Sequence, residues 1–358
     1  MNALAAMRRR VRPGSERSRR SARSISIAAF TVRVSGRSTA VAVAMVAVLL
    51  GTAYLSLSLG RSGLEVADLL ALVSGNASPR DQLILGWRAP RALAAVVFGA
   101  CLGISGAFFQ SLTGNALGSP DVIGLSSGAY TGVIVVLMVG GSGFLQVALG
   151  AVIGCTVAAV AVFLLAYKQG LAGFRLIVVG IAVSATLTSF NHWFSVSADL
   201  DEAMRAAIWG AGSLAGIRWG PLAAVVAVAL VLTTMLPPIA HRMRQLELGE
   251  DTAAALGVEV ERTKLAMVLI GVVFTAVVTA VAGPIAFVAL AAPQIAKRLC
   301  RSPSLSLTSS ALVGAAVLST ADIVAVHLLA DARPPVGVVT VTLGGLYLVW
   351  LLLREAEK

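Results

Sequence analysis

The chain has 358 residues, 58% of them hydrophobic and only 13% charged, with a mean hydropathy of +0.89. Soluble globular domains are nearer to about 45–50% apolar and about 25% charged, so a soluble enzyme or binding module is excluded. The net charge of +11 does not indicate a nucleic-acid partner, because long apolar runs separate the basic residues; in such a chain Lys and Arg first report which side of a bilayer a loop occupies.

Taken in order, residues 1–37 carry ten arginines, no lysine and a single acid, Glu16. With no apolar period to fold on, this stretch is expected to be a disordered basic cytoplasmic tail in contact with anionic lipid. Residues 38–358 form the membrane domain. Apolar runs predict spanning helices near 39–58, 90–112, 121–139, 144–167, 175–196, 220–239, 265–282, 284–300, 307–329 and 336–353, each close to the ~20 residues that a bilayer requires. The fold class is therefore all-α: a polytopic protein of about ten transmembrane helices, multi-pass in the cytoplasmic membrane, with both termini cytoplasmic. Between the first two spans, Leu64, Ala67, Leu70 and Leu72 suggest a short amphipathic helix on the outer surface. In this arrangement 21 of the 28 basic residues fall on the inner side, the expected bias.

Several chemistries are absent. Cys101, Cys155 and Cys300 are far apart with no C-x-x-C, and His192, His241 and His327 share no ligand spacing, so neither a disulfide framework nor a metal site is expected. None of the four lysines follows glycine, which excludes a phosphate-cradling P-loop; if ATP drives this protein, another subunit hydrolyses it. Gly124 to Gly128 fits G-x-S-x-G, and Gly103 to Gly106 fits the G-x-S-G of intramembrane serine proteases. Both need a histidine placed to take the serine proton, and His192 and His327 fall near outer span ends. Gly99, Gly103 and Gly106, and again Gly128 and Gly132, have the small-xxx-small spacing of close helix packing. Asp322 lies inside a span, where a carboxylate must face protein or water. A packing carboxylate bonded to hydroxyls and backbone is preferred over a cation site, although a cation-coupled secondary transporter would use it.

Two stretches are more specific. Arg88-Ala89-Pro90-Arg91 stands at the outer mouth, and the helix it opens runs through Gln110 to an Asn/Pro break at Asn115 to Pro120. Broken backbone at membrane depth is tolerated where it lines a cavity or is buried in protein, so Gln110, Asn115 and Pro120 are candidates for a translocation path. The longest inner loop, Leu248-Gly249-Glu250-Asp251-Thr252-Ala253-Ala254-Ala255-Leu256-Gly257, reads as a short helix with acids at its start and a glycine cap, the form of a docking element.

Together the R-x-P-R start, the N-x-L-x-x-P-x-x-x-G break, the L-G-x-x-x-A-x-x-L-G loop, Gly283-Pro284-Ile285-Ala286-Phe287 with Pro293, and Pro335-Val336-Gly337-Val338 resemble the FecCD family of permease subunits. These belong to ATP-binding cassette importers of iron–siderophores, haem and cobalamin, and the resemblance covers about 40 to 353. It implies a type II importer permease fold, with no catalytic residue and no cofactor on this chain. The implied partners are ATPase subunits, an extracytoplasmic substrate-binding lipoprotein and a second permease, identical or not. Ferric siderophore is the leading cargo, with cobalamin or haem as the alternative. Residue by residue, Arg88 and Arg91 would dock the binding protein. Leu248, Gly249, Glu250, Asp251, Ala253, Leu256 and Gly257 would rest on the ATPase. The family's Asn-Pro is Asn115-Ala116 here, its Pro-His is Pro293-Gln294, and Val326 stands where relatives often carry Arg.

Overall fold

The computed structural model describes residues 22–27, 30–59, 68, 74, 78–168, 170–329 and 334–356. Within the segment expected to be a disordered tail, β1 (Ala22–Ile27) and β2 (Phe30–Ser35) pair antiparallel, Ala22 opposite Ser35 and Ile27 opposite Phe30. Residues 1–21 and most of the proposed amphipathic segment after residue 59 lie outside the described residues. The helices that follow are α1 (Gly36–Ser58), α2 (Pro79–Thr113), α3 (Leu125–Met138), α4 (Phe144–Ala166), α5 (Gly173–Ser197), α6 (Leu200–Gly210), α7 (Trp219–Leu246), α8 (Glu250–Ala255), α9 (Val260–Ala282), α10 (Val288–Cys300), α11 (Leu307–Ile323) and α12 (Val336–Ala356). A π-helical turn, Val324–Leu328, prolongs α11. The charge asymmetry of the sequence distinguishes an outer from an inner end of the bundle.

Each of the ten predicted apolar runs carries a helix, and seven helices are long and apolar enough to cross a membrane. Of the remaining three, α3 and α10 differ for a physical reason. α3 has 14 residues and α10 has 13, about 20 Å at 1.5 Å per residue, short of the ~30 Å hydrocarbon layer. Each follows a buried non-helical segment. Ser119 and Pro120 are buried before α3, and Ile285 is buried before α10, so irregular backbone is held by protein and not by lipid.

The centre of the molecule is α2. Ser78 starts it by accepting a hydrogen bond from the Asp81 amide, with Pro79 in the first turn, and Gly114 ends it in the left-handed conformation at φ +60°. Its apolar stretch is 72% buried, that of α9 67% and that of α11, with its π turn, 56%, whereas α1, α5 and α7 cover only 0%, 11% and 17% of theirs. Close approach is set by the glycines. A Cβ on Gly99 would overlap the Gly314 backbone, one on Gly103 the Ser310 backbone, and one on Gly106 the Ala289 backbone. Gly128 and Gly132 of α3 meet Gly154 and Gly150 of α4 in the same way. Small residues let backbones touch where lipid supplies no hydrophobic drive between helices.

Candidate functional site

The outer end holds a cavity of about 1600 Å³, lined by Trp87, Arg88, Arg91, Arg218, Trp219, Asp322 and His327 among others. Asp322 is 3% exposed, and its partner is neither hydroxyl nor backbone, as the sequence suggested, but Arg91. The Arg91 Nε donates to both Asp322 oxygens at 3.1 and 3.0 Å, and Nη2 donates to Oδ1 at 2.8 Å. A forked guanidinium is the group best able to offset a desolvated carboxylate. The register explains the meeting. α2 and α11 run antiparallel with Gly99 on Gly314 and Gly103 on Ser310. Two further i±4 steps along each ridge bring Arg91 opposite Asp322. The glycine spacing in the sequence contains that register, and combining it with the two charges would have found the pair.

Arg88 also has partners within the chain. Its Nη1 donates to the carbonyls of Leu57 at 2.9 Å and Leu59 at 2.6 Å, acceptors that the end of α1 leaves open. Arg218, which the sequence reading passed over, is exposed and lines the same cavity, as do the exposed Trp87 and Trp219.

The residues assigned to a translocation path are otherwise engaged. Gln110 is buried, donates to the Leu290 carbonyl at 2.9 Å and accepts from Gln294 Nε2 at 2.7 Å, tying α2 to α10. Asn115 folds back on its own turn, Oδ1 accepting from the Leu117 amide, and Pro120 is buried. None of the three lines the outer cavity or the groove described next. A lone amide in a span can bridge a neighbour as readily as line a channel, and here it bridges.

A better-formed polar surface lies between α3 and α5. Ser127 Oγ is 3.1 Å from Ser184 Oγ and 3.4 Å from Thr188 Oγ1, Thr131 donates to Asn191 Oδ1 at 2.8 Å, and Asn191 donates to the Ser127 carbonyl. Beside them opens a groove of about 330 Å³ that includes Ser126, Tyr130, Thr188, His192 and Ser195. Ser184, Thr188, Asn191 and Ser195 follow i, i+4, i+7, i+11 and so occupy one helix face. That face belongs to a helix that the chain leaves almost uncovered. Ser184 and Asn191 are satisfied by α3, but the exposed Thr188, His192 and Ser195 in the groove are costly against hydrocarbon, so the groove meets water or another protein surface. The spacing was readable in the sequence.

Among the described residues, neither motif serine is hydrogen-bonded to a histidine. Ser105 donates to the Gly271 carbonyl at 2.8 Å and lies 2.9 Å from Thr275 Oγ1, while Ser126 donates to Asp121.

At the inner end, α8 stands between Gly249 (φ +105°) and Gly257 (φ +82°). Ala253 is fully buried, while Leu248 and Leu256 are 64% and 57% exposed, so the loop is seated by one small residue and presents two leucines outward. Glu250 and Asp251 open the helix on its exposed side. Just before it, Glu247 accepts from the Leu305 amide at 3.2 Å. Partial burial raises the carboxyl pKa of Glu247, opposed by that amide and by the charges of Lys297 and Arg244. Lys264 of α9 is buried among Glu250, Glu261 and the Leu171 carbonyl.

The chain is similar in sequence and fold to known proteins. The sequence profile of the FecCD transport family matches residues 46–354. The ferric enterobactin transport system permease protein FepG of Escherichia coli K12 is 46% identical over 306 residues, covering 83% of this chain and 92% of that protein. The probable siderophore transport system permease protein YfhA of Bacillus subtilis 168 is 34% identical over 85% of this chain and 91% of its own length. Among solved structures, an inward-facing conformation of a metal-chelate type ABC transporter superposes with a TM-score of 0.76 at 26% identity, covering 88% of this chain and 99% of that one.

Proposed function

The chain belongs to the FecCD transport family, and on that footing we propose that it is the membrane permease of an ATP-driven importer that carries a ferric siderophore across the cytoplasmic membrane by alternating access. The observation that carries the reading is the likeness to FepG along most of both chains. In this reading the ten apolar helices span the membrane with both termini inside, the short α3 and α10 being completed by their buried approach segments. The chain makes no bonds and holds no cofactor; ATP is used by a separate ATPase pair. A second permease, identical or a sister, covers the faces that α1, α5 and α7 leave open. The path for cargo follows the hydroxyl-lined face of α5 against α3, because that face cannot be left to lipid.

Docking is divided between the ends. At the outer end an extracytoplasmic binding lipoprotein meets the cavity rim through Arg88, Arg91 and Arg218, acidic groups on the partner being steered and oriented by the arginines. At the inner end the segment from Leu248 to Gly257 rests on the ATPase, its exposed leucines entering a cleft there. A cation-coupled carrier is disfavoured by the forked pairing of Asp322 with Arg91, which leaves the carboxylate no vacancy for a transported ion.

The test is uptake by vesicles holding this permease with its ATPase, binding protein and ATP. Radiolabelled ferric enterobactin should accumulate only with hydrolysable ATP. Accumulation of haem or cobalamin, with none of any ferric siderophore, would overturn the cargo assignment, and accumulation driven by an ion gradient without ATP would overturn the mechanism.

A further inference from the structure

α8 has six residues, too few to hold a helix or an orientation by itself. Its direction must be imposed, and the structure shows by what. The Lys264 ammonium, 5% exposed, donates to Glu250 Oε2 at 2.7 Å in the first turn of α8, to the Leu171 carbonyl at 2.8 Å, and to Glu261 Oε1 at 3.3 Å. An ammonium has three N–H donors, and all three are used. The other oxygen of Glu261 accepts from the Leu171 amide at 3.3 Å. Lys264 and Glu261, one turn apart on α9, therefore grip both backbone polar groups of a single residue, Leu171, whose side chain is itself buried. Leu171 lies in the loop between α4 and α5, immediately before Ala172, the residue that caps α5.

This makes a continuous connection: α8, Glu250, Lys264, Leu171, and then the first turn of α5, the helix with the polar face. Its members are linked by charge-assisted bonds that cannot stretch far without exposing a buried carbonyl or leaving two carboxylates to repel each other. We propose that Lys264 is the positioning residue that delivers displacement of α8 to α5, so that ATP-driven movement at the inner surface reaches the cargo path through this one side chain. Glu247, bonded to Leu305 just ahead of α11, holds the other side of the same loop. It ties that side of the loop to the segment ahead of α11, whereas the Lys264 side is the one whose bonds continue to α5.

The inference rests on the transport reading, and its test separates the two. In vesicles carrying the complete complex, ferric enterobactin uptake and ATP hydrolysis are measured together for the wild-type chain, Lys264→Met and Lys264→Arg. Lys264→Met should lower uptake per ATP by about tenfold while hydrolysis continues, and Lys264→Arg, which keeps the charge and several donors, should return it to within about twofold of wild type. An unchanged ratio in Lys264→Met overturns the proposal, as does equal damage in the Arg variant. Where Lys264→Met fails to accumulate, Glu250→Gln cuts only the α8 end of the connection. It should lower the ratio about threefold, and a wild-type ratio there is equally fatal. Absence of uptake by the wild-type complex removes the transport reading instead.

Discussion

The outer and inner ends of the molecule each hold a buried charge, and the two are built differently. Outside, Asp322 and Arg91 belong to long helices already fixed against each other by Gly99, Gly103 and Gly314, so their bond closes a gap between rigid rods. Inside, Lys264 joins a six-residue helix to a loop residue, pieces that are short and belong to no long helix. Its carboxylate partners are half open to solvent, at 59% and 47%, whereas the side chain of Asp322 is 4% exposed. What an ion pair does is decided by what it connects. The outer pair holds the bundle closed, and the inner one relays movement.

That contrast can be broken in order of expected effect. Gly103→Leu drives a side chain into the Ser310 backbone, which has no room to yield, and should cost about 3 kcal/mol or more. The variant should fail to accumulate in the membrane fraction on immunoblotting, and normal accumulation would show that the outer rods are not rigid. Arg91→Met should lower stability by about 3–5 kcal/mol, read from thermal unfolding in detergent, because it strands the buried Asp322 carboxylate. Asp322→Asn should cost less, because Arg91 still reaches the cavity. Arg91→Met with Asp322→Met should recover much of that loss, and a purely additive double variant would dissolve the pair.

Lys264→Met should cost less, about 1–2 kcal/mol, since Glu250 and Glu261 can turn to water. If it unfolds as readily as Arg91→Met, the two ends are alike and the contrast fails. Smallest is Arg218→Ala. Stability should stay within about 0.5 kcal/mol, while the apparent KM for the binding protein rises several-fold and loses part of its salt dependence. An unchanged KM would take Arg218 off the docking surface.

Helix positions were readable because hydrocarbon demands long apolar runs, and the glycine spacing announced close packing before any contact was known. The inner loop showed its short helix through the acids at Glu250 and Asp251 and the flanking glycines. What escaped were relations between distant residues. Arg91 and Asp322 are 231 positions apart, and nothing local to either names the other; only the shared antiparallel register does. The hold on Arg88 was hidden because helix-end carbonyls are invisible in a sequence, yet they take up its Nη1. The partners of Gln110, Leu290 and Gln294, were out of sight because they come from a helix more than 170 residues later. The α5 stripe was missed for another reason: serine and threonine barely lower the hydropathy of a span, so a polar face passes unnoticed unless its helical period is followed.

The shortness of α10 reaches into how the protein is made. Its 13 residues include Pro293, Gln294, Lys297 and Arg298, too few apolar side chains to commit such a segment to lipid when it leaves the insertion machinery alone. It needs a prepared berth. That berth is the face of α2 at Gly106 and Gln110, made nearly two hundred residues earlier. A late segment of the chain therefore depends on a face that an early one has already built.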